Sequence, residues 1–261
     1  MTLLQSVILG IIEGLTEFLP VSSTGHMILA SSMMKLSDPE FAKTFEIVIQ
    51  LGAILAVVAV YFKRFFVGPD LYVKLGVAFL PTGIIGFLAY KTIKAYLFNA
   101  YTVSISLIAG GIVLILLDRW SERKRSEYVS PEAISIAGAF KIGLIQCISM
   151  IPGVSRSAAT IFGGISQGFD RKMAAEFSFL LAVPTMFAAT GYDLIKSHGS
   201  IHKADALILL TGAAVSFVVA ILAIRVFVAF LTKYGFKHFG YYRIALGILF
   251  LVYASYVGLT F

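Results

Sequence analysis

The sequence predicts an all-α integral membrane protein in which six transmembrane helices and two re-entrant helical hairpins form an inverted-topology repeat. Three observations lead there. The 261 residues are 59% hydrophobic and only 13% charged, with a mean hydropathy of +0.91; soluble globular chains are about 45–50% apolar and about 25% charged. Apolar stretches of spanning length recur from one end of the chain to the other. Two further stretches are apolar at both ends but interrupted in the middle by proline, glycine and hydroxyl residues.

The first element is one of these interrupted stretches, residues 2–33. Residues 1–12 lack a basic n-region and no small-residue cleavage site follows them, so a retained segment is expected rather than a signal peptide. Spans follow near 44–62, 72–90 and 101–118, then the second interrupted stretch at 138–168, then spans near 173–192, 206–230 and 243–261. Each span suits the roughly 20 residues that carry a helix across about 30 Å of hydrocarbon. Lipid-facing segments must be helical, because an open strand edge would leave backbone groups unsatisfied. Each interrupted stretch reads as two half-helices joined by a turn, entering and leaving by one face. Irregular backbone at that depth is tolerated only inside protein or against a wet cavity, so function is expected at the two interruptions.

The chain forms a single membrane domain over 1–261, with repeat 1 at about 1–125 and repeat 2 at about 135–261. GIIEGLTEFLPVSSTG at 10–25 matches GLIQCISMIPGVSRSA at 143–158, and FEIVIQLGAILAV at 45–57 resembles AEFSFLLAVPTMF at 175–187, pairing Glu46 with Glu176. LPTGIIGF at 80–87 resembles LLTGAAVS at 209–216, and AGGIVLILL at 109–117 resembles ALGILFLVY at 245–253. One hairpin plus three spans per half is an odd number of crossings, so the second half inserts upside down; in such folds the site lies near the midplane, where broken helices meet. On this topology fourteen Lys and Arg residues, among them Arg64, Arg171, Arg243 and the RWSERKR run at 119–125, fall on the side opposite the N-terminus. Six, including Lys35 and Lys203, fall on the N-terminal side, and Arg156 is left at depth. The positive-inside rule makes the richer side cytoplasmic. The net charge of +7 is therefore read as juxtamembrane anchoring, and no nucleic-acid partner is expected. The single Cys147 excludes an internal disulfide and a cysteine-built metal site, and reads as a small buried apolar residue.

Glu13 and Glu17 are four apart, which puts them one turn apart on one helix face. Two carboxylates at membrane depth repel each other unless a cation or a shared proton lies between them. Mg²⁺ or Ca²⁺ favours such oxygen ligands and also bridges to phosphates; capping or pairing with neighbours is the structural alternative. His26 follows the turn and suits a general acid or base, or a hydrogen-bonded structural role. Ser22, Ser23 and Thr24 suit helix caps, with a nucleophile among them as the other reading. The second interruption, PGVSRSAAT at 152–160, has no carboxylate. Arg156 beside Ser155, Ser157 and Thr160 at a half-helix N-terminus makes an anion site, unless Arg156 simply pairs with a glutamate across the repeat. Acids able to hold a metal, together with an arginine–hydroxyl cradle, suggest phosphoryl chemistry on a membrane-embedded substrate.

EGLTEFLPVSSTGH at 13–26 closely resembles the glutamate-rich motif of the undecaprenyl-diphosphate phosphatases, the bacitracin-resistance family, and PGVSRSAAT resembles that family's second motif, PGxSRSxxT. Order, separation and length also fit, so the resemblance covers essentially the whole chain. It implies a multi-pass enzyme of the bacterial cytoplasmic (inner) membrane, its site facing the periplasm. Such an enzyme cleaves the terminal phosphate of a C55 polyprenyl diphosphate, recycles the carrier lipid for cell-wall synthesis and confers bacitracin resistance. The resemblance also implies a divalent cation, Mg²⁺ or Ca²⁺, on Glu13 and Glu17. Glu13, Glu17, Ser23 and His26 would be the catalytic set, and Ser22, Ser155, Arg156 and Thr160 the phosphate-binding set, with Ser23 or water as nucleophile. A homodimer is entertained as the assembly. The rival is an inverted-repeat transporter or flippase of polyprenyl phosphates or anions, against which the Glu–Glu–His set weighs.

Overall fold

The computed structural model describes every residue except 35, 37–38, 98, 123–126, 198–204 and 258–261. Lys35, Lys203, residues 123–125 of the basic run and the end of the sixth predicted span lie outside the described residues. Among those described, the regular structure is all helical. The helices are α1 (Leu3–Thr16), α2 (Ser23–Met34), α3 (Pro39–Val60), α4 (Pro69–Tyr96), α5 (Ala100–Ser121), α6 (Ile136–Gln146), α7 (Arg156–Ser166), α8 (Arg171–Ser197), α9 (Ala206–Tyr234) and α10 (Lys237–Val257). Six of them, α3, α4, α5, α8, α9 and α10, are long and apolar enough to cross a membrane, the six that hydropathy predicts. The remaining four form two broken pairs, α1–α2 and α6–α7, at the two interrupted stretches.

Local chemistry fixes the starts. Thr2 and Gln5 form a reciprocal capping box at α1. Asn99 accepts from the Thr102 N–H at α5, and Ser135 from the Gly138 N–H at α6. Pro69 opens α4, where its missing N–H costs nothing.

The short helices are held between long ones. α1 packs on α9, α6 packs on α4, and α5 runs against α10, while α3 lies against both α8 and α9. Small residues permit these approaches, since lipid gives helices no hydrophobic reason to associate. A Cβ on Gly14 of α1 would stand 2.5 Å from the Ser216 carbonyl oxygen of α9. A Cβ on Gly111 would stand 2.6 Å from the Gly240 carbonyl, and the reverse holds at the same distance, so α5 and α10 touch backbone to backbone. Cys147 is half-buried rather than fully buried, its thiol donating to the Gly143 carbonyl.

The basic residues on the cytoplasm-assigned side are not all anchors. Arg64 pairs with Glu132 (3.1 Å) and Glu176 (2.5 Å), and Arg171 with Asp118 (2.8 Å). Arg243 departs furthest from its reading as an anchor: it is completely buried. Its guanidinium donates to the carbonyls of Pro20 (3.0 Å), Val154 (2.9 Å), Gly153 (2.8 Å), Ser106 (3.1 Å) and Leu107 (3.4 Å). It therefore binds both breaks and α5 to α10.

Arg243→Met keeps much of the volume but leaves the turn carbonyls of Pro20, Gly153 and Val154 unpaired, each at about 1–3 kcal/mol. The expected outcome is a large fall in melting temperature in detergent. Arg243→Lys, with three donors for five acceptors, should recover only part of it. An Arg243→Met protein that melts with the wild type would show that the tie is dispensable.

Candidate active site

Both breaks are built alike. After α1 the chain passes Pro20 and reaches Ser22, whose φ is +69°; after α6 and a 3₁₀ turn it passes Pro152 and Gly153 and reaches Ser155, whose φ is +78°. Among the described residues these are the two non-glycine positions with positive φ. Such backbone costs about 1–3 kcal/mol and persists where its surroundings hold it. Each serine caps the helix it precedes: Ser22 Oγ accepts from the Gly25 N–H (3.3 Å) and Ser155 Oγ from the Ala158 N–H (3.2 Å). Gly153 is required by its own φ of +93°, and a Cβ there would stand 2.6 Å from the Val103 carbonyl.

The first residues of α2 and α7 meet at one carboxylate. Ser23 Oγ donates to Glu17 Oε2 at 2.5 Å, and Arg156 Nη2 donates to Glu17 Oε1 at 3.1 Å. Glu13 and Glu17 are 4% and 7% exposed, so these charges stand in protein, out of bulk water. Arg156 is fixed further by Nη1 to the Ser178 carbonyl (3.0 Å) and by Nη2 to Met186 Sδ (3.4 Å), and it lies over the Phe18 ring at 5.7 Å. Its buried Nε has no hydrogen-bond partner among the described residues. Ser157 Oγ donates to the Phe18 carbonyl at 2.7 Å, a second link between the breaks. Thr160 is completely buried in α7, bonded to the Arg156 carbonyl (2.9 Å) and to Ser178 Oγ (2.6 Å). It braces Arg156 against α8. Thr24 is exposed.

His26 lies one turn along α2 from Ser23. Its Nδ1 is 2.8 Å from the Ser22 carbonyl and its Nε2 is 2.6 Å from the Tyr242 hydroxyl. The structure thus gathers Glu13, Glu17, Ser23 and Arg156 around one point. Ser22 and Ser155 stand at the turns that hold it, Thr160 behind the arginine, and His26 on the face toward α10.

Sequence reasoning missed Ser178, Tyr242 and Arg243 as members of this neighbourhood. Ser178 shares its apolar span with the hydroxyls of Thr185 and Thr190, so the sequence does not single it out. Tyr242 and Arg243 stand at the edge of a predicted span, where aromatic and basic residues are ordinary. Glu46 on α3 also bears on the site: it accepts from Ser31 of α2 at 3.1 Å and acts electrostatically on Glu13.

The donor set suits a hard cation. Glu13 has no ion-pair partner among the described residues, and it stands within reach of Glu17 and Glu46, so three carboxyl groups share the neighbourhood of one guanidinium. Among the described residues no cluster of three or more His, Cys, Asp or Glu side chains has metal-holding spacing. Two carboxylates plus oxygens from phosphate and water are how Mg²⁺ is usually bound, so Glu13 and Glu17 fit such an ion as the protein's share of its ligands.

The family profile described as "Bacitracin resistance protein BacA" matches residues 6–249. The chain is 53% identical over 255 residues to a protein of Persephonella marina named undecaprenyl-diphosphatase, covering 97% of this chain and 99% of that one. Proteins of the same name from Wolinella succinogenes and Flavobacterium psychrophilum are 50% and 54% identical, covering 98% and 97% of this chain and 100% and 96% of theirs. With that profile spanning nearly the whole fold and both breaks inside it, the chain belongs to the BacA bacitracin resistance family.

Proposed function

We propose that this protein hydrolyses undecaprenyl diphosphate to undecaprenyl phosphate and inorganic phosphate, recycling the carrier lipid of cell-wall synthesis and so conferring bacitracin resistance. The observation behind the reading is the single carboxylate of Glu17 held at once by the Ser23 hydroxyl and the Arg156 guanidinium. A hydroxyl bonded to a buried carboxylate is a nucleophile beside its base, and an arginine with a free Nε is a donor for phosphate oxygens. The names of the relatives supply the substrate.

In this mechanism the terminal phosphate replaces Glu17 as partner of Arg156. Glu17 takes the Ser23 proton as Ser23 Oγ bonds to the terminal phosphorus and the bridging P–O bond breaks, releasing undecaprenyl phosphate. Water then cleaves the phosphoserine, with His26 handling the proton. Glu13 and Glu17 would hold a divalent cation, which supplies charge neutralisation to the phosphate when bound. Arg156 and the N-termini of α2 and α7 meet the negative charge that develops. Ser22 and Ser155 keep those N-termini aimed at it.

The fold belongs to the same proposal: α1–α2 and α6–α7 are re-entrant hairpins of two inverted repeats in the inner membrane, with the site open to the periplasm. Supporting it, the strained serines stand 133 residues apart in matching segments, and the packing is exchanged, α1 of the first half on α9 of the second and α6 of the second on α4 of the first.

Purified protein in detergent is expected to release phosphate from C15 or C55 prenyl diphosphate. A chelator should abolish release and Mg²⁺ or Ca²⁺ restore it; no release with cation present would favour lipid transport instead. Arg156→Lys keeps a charge beside Glu17 but loses Nε and the planar fork. Its kcat/KM should fall roughly 10²-fold or more with an unchanged melting temperature, and a mere halving would refute the clamp. Ser23→Ala should lose turnover and phosphoserine trapping together; full activity would hand the attack to water.

A further inference from the structure

Beyond the acids and the arginine, α10 brings one more polar side chain to the first break. The Tyr242 hydroxyl is 2.6 Å from His26 Nε2, with the two rings nearly parallel at 6°. On the far edge of the imidazole, Nδ1 is 2.8 Å from the Ser22 carbonyl. A carbonyl can only accept, so Nδ1 carries a proton, and in the neutral ring Nε2 accepts from the Tyr242 O–H. The ring is thus gripped on one side by the positive-φ residue of the turn and on the other by α10.

Both grips are rigid. Ser22 is held by its cap to Gly25. Tyr242 is the chain neighbour of Arg243, whose hydrogen bonds to both breaks fix this turn of α10. On its other side α2 meets α5 through Val103 and Leu107, which pack near Gly25 and offer no polar group to the ring.

We infer that Tyr242 is a positioning residue for His26: its hydroxyl holds the imidazole in the Nδ1–H tautomer, with Nε2 as the proton-accepting atom. When Nε2 gains a proton the contact reverses, and the Nε2–H donates to the phenolic oxygen as a charge-assisted bond. The inference rests on the hydrolase reading, in which His26 handles a proton.

Tyr242→Phe deletes one oxygen and keeps the ring. In the phosphate-release assay with C15 diphosphate its kcat should fall about 10-fold to 100-fold, the usual effect of removing the partner that orients a histidine. KM should stay within about twofold, and the melting temperature should not move. Spectra of ¹⁵N-histidine-labelled protein, which holds four histidines, supply a readout independent of turnover. The His26 signals are assigned by their loss in His26→Gln, and in Tyr242→Phe the Nε2 resonance should shift as its hydrogen bond disappears. A Tyr242→Phe protein with wild-type kcat, or with an unmoved Nε2 resonance, would overturn the inference and leave the hydrolase reading intact. Absence of phosphate release by the wild type itself would overturn both.

Discussion

Everything near the site depends on five carbonyl oxygens gathered by one buried arginine. The guanidinium has five N–H donors in a fixed fork, and in Arg243 each meets a backbone carbonyl: one from the first break, two from the second and two from α5. The carbonyls of Pro20, Gly153 and Val154 sit in the two turns, where no helix ladder can satisfy them, while those of Ser106 and Leu107 lie inside α5 and accept from Arg243 in addition to their helical bonds. Without a donor the turn carbonyls would demand water or unfold the breaks; with one, two irregular segments far apart in sequence take fixed places relative to each other. The charge itself is met by carbonyl dipoles, with no ion-pair partner among the described residues. Arg156 is then free for the anion role proposed for it, because the architecture already has an arginine of its own.

On that frame the groups proposed to react need only short reaches. The strained serines at Ser22 and Ser155 turn the chain sharply enough to start α2 and α7 at the same point, and their hydroxyls satisfy first-turn N–H groups that would otherwise be orphaned. The next residue in each case, Ser23 or Arg156, arrives at Glu17 from its own helix. Ser157 and Thr160 then lock α7 to the first break and to α8. The strain at two backbone positions is small beside the apolar burial around it, where Phe18, Phe177, Phe179 and Phe227 are 2% exposed or less.

What could be read from the chain follows a physical division. Hydropathy reports the solvent of each segment, so all six long helices were legible. Proline, glycine and serine report backbone that cannot stay helical, so both breaks were legible too, as was the meeting of an acidic motif with a basic one. Side-chain partners across more than a hundred residues were not. Arg243 stands at the edge of an apolar span, where an interfacial anchor and a buried tie look identical in sequence, and only the presence of Pro20, Gly153 and Val154 around it tells them apart. Tyr242, in the run YYR, resembles an interfacial aromatic for the same reason. The Arg64–Glu176 pair was hidden because similarity between segments paired Glu176 with Glu46, whereas in space each serves a different neighbour.

The likeness of the two breaks makes their chemical difference informative. Matching positions 133 apart hold Glu13 and Gln146, then Ser23 and Arg156. Two copies of the acidic break would crowd four carboxylates into a buried space, and two copies of the basic one would leave guanidinium groups with no anion. One of each puts opposite charges 3.1 Å apart on Glu17 and Arg156, where their attraction offsets much of the cost of desolvation. Gln146 shows the other half of the bargain: completely buried, it donates to Thr82 (2.7 Å) and Thr185 (3.4 Å) and joins α6 to α4 and α8 without adding charge. A neutral amide serves where only packing is needed, and a carboxylate stands where the proposed mechanism places a phosphate, a proton and a cation. In the proposed mechanism neither break holds a complete site, so the substrate is recognised only when both halves are in place, which is the condition Arg243 enforces.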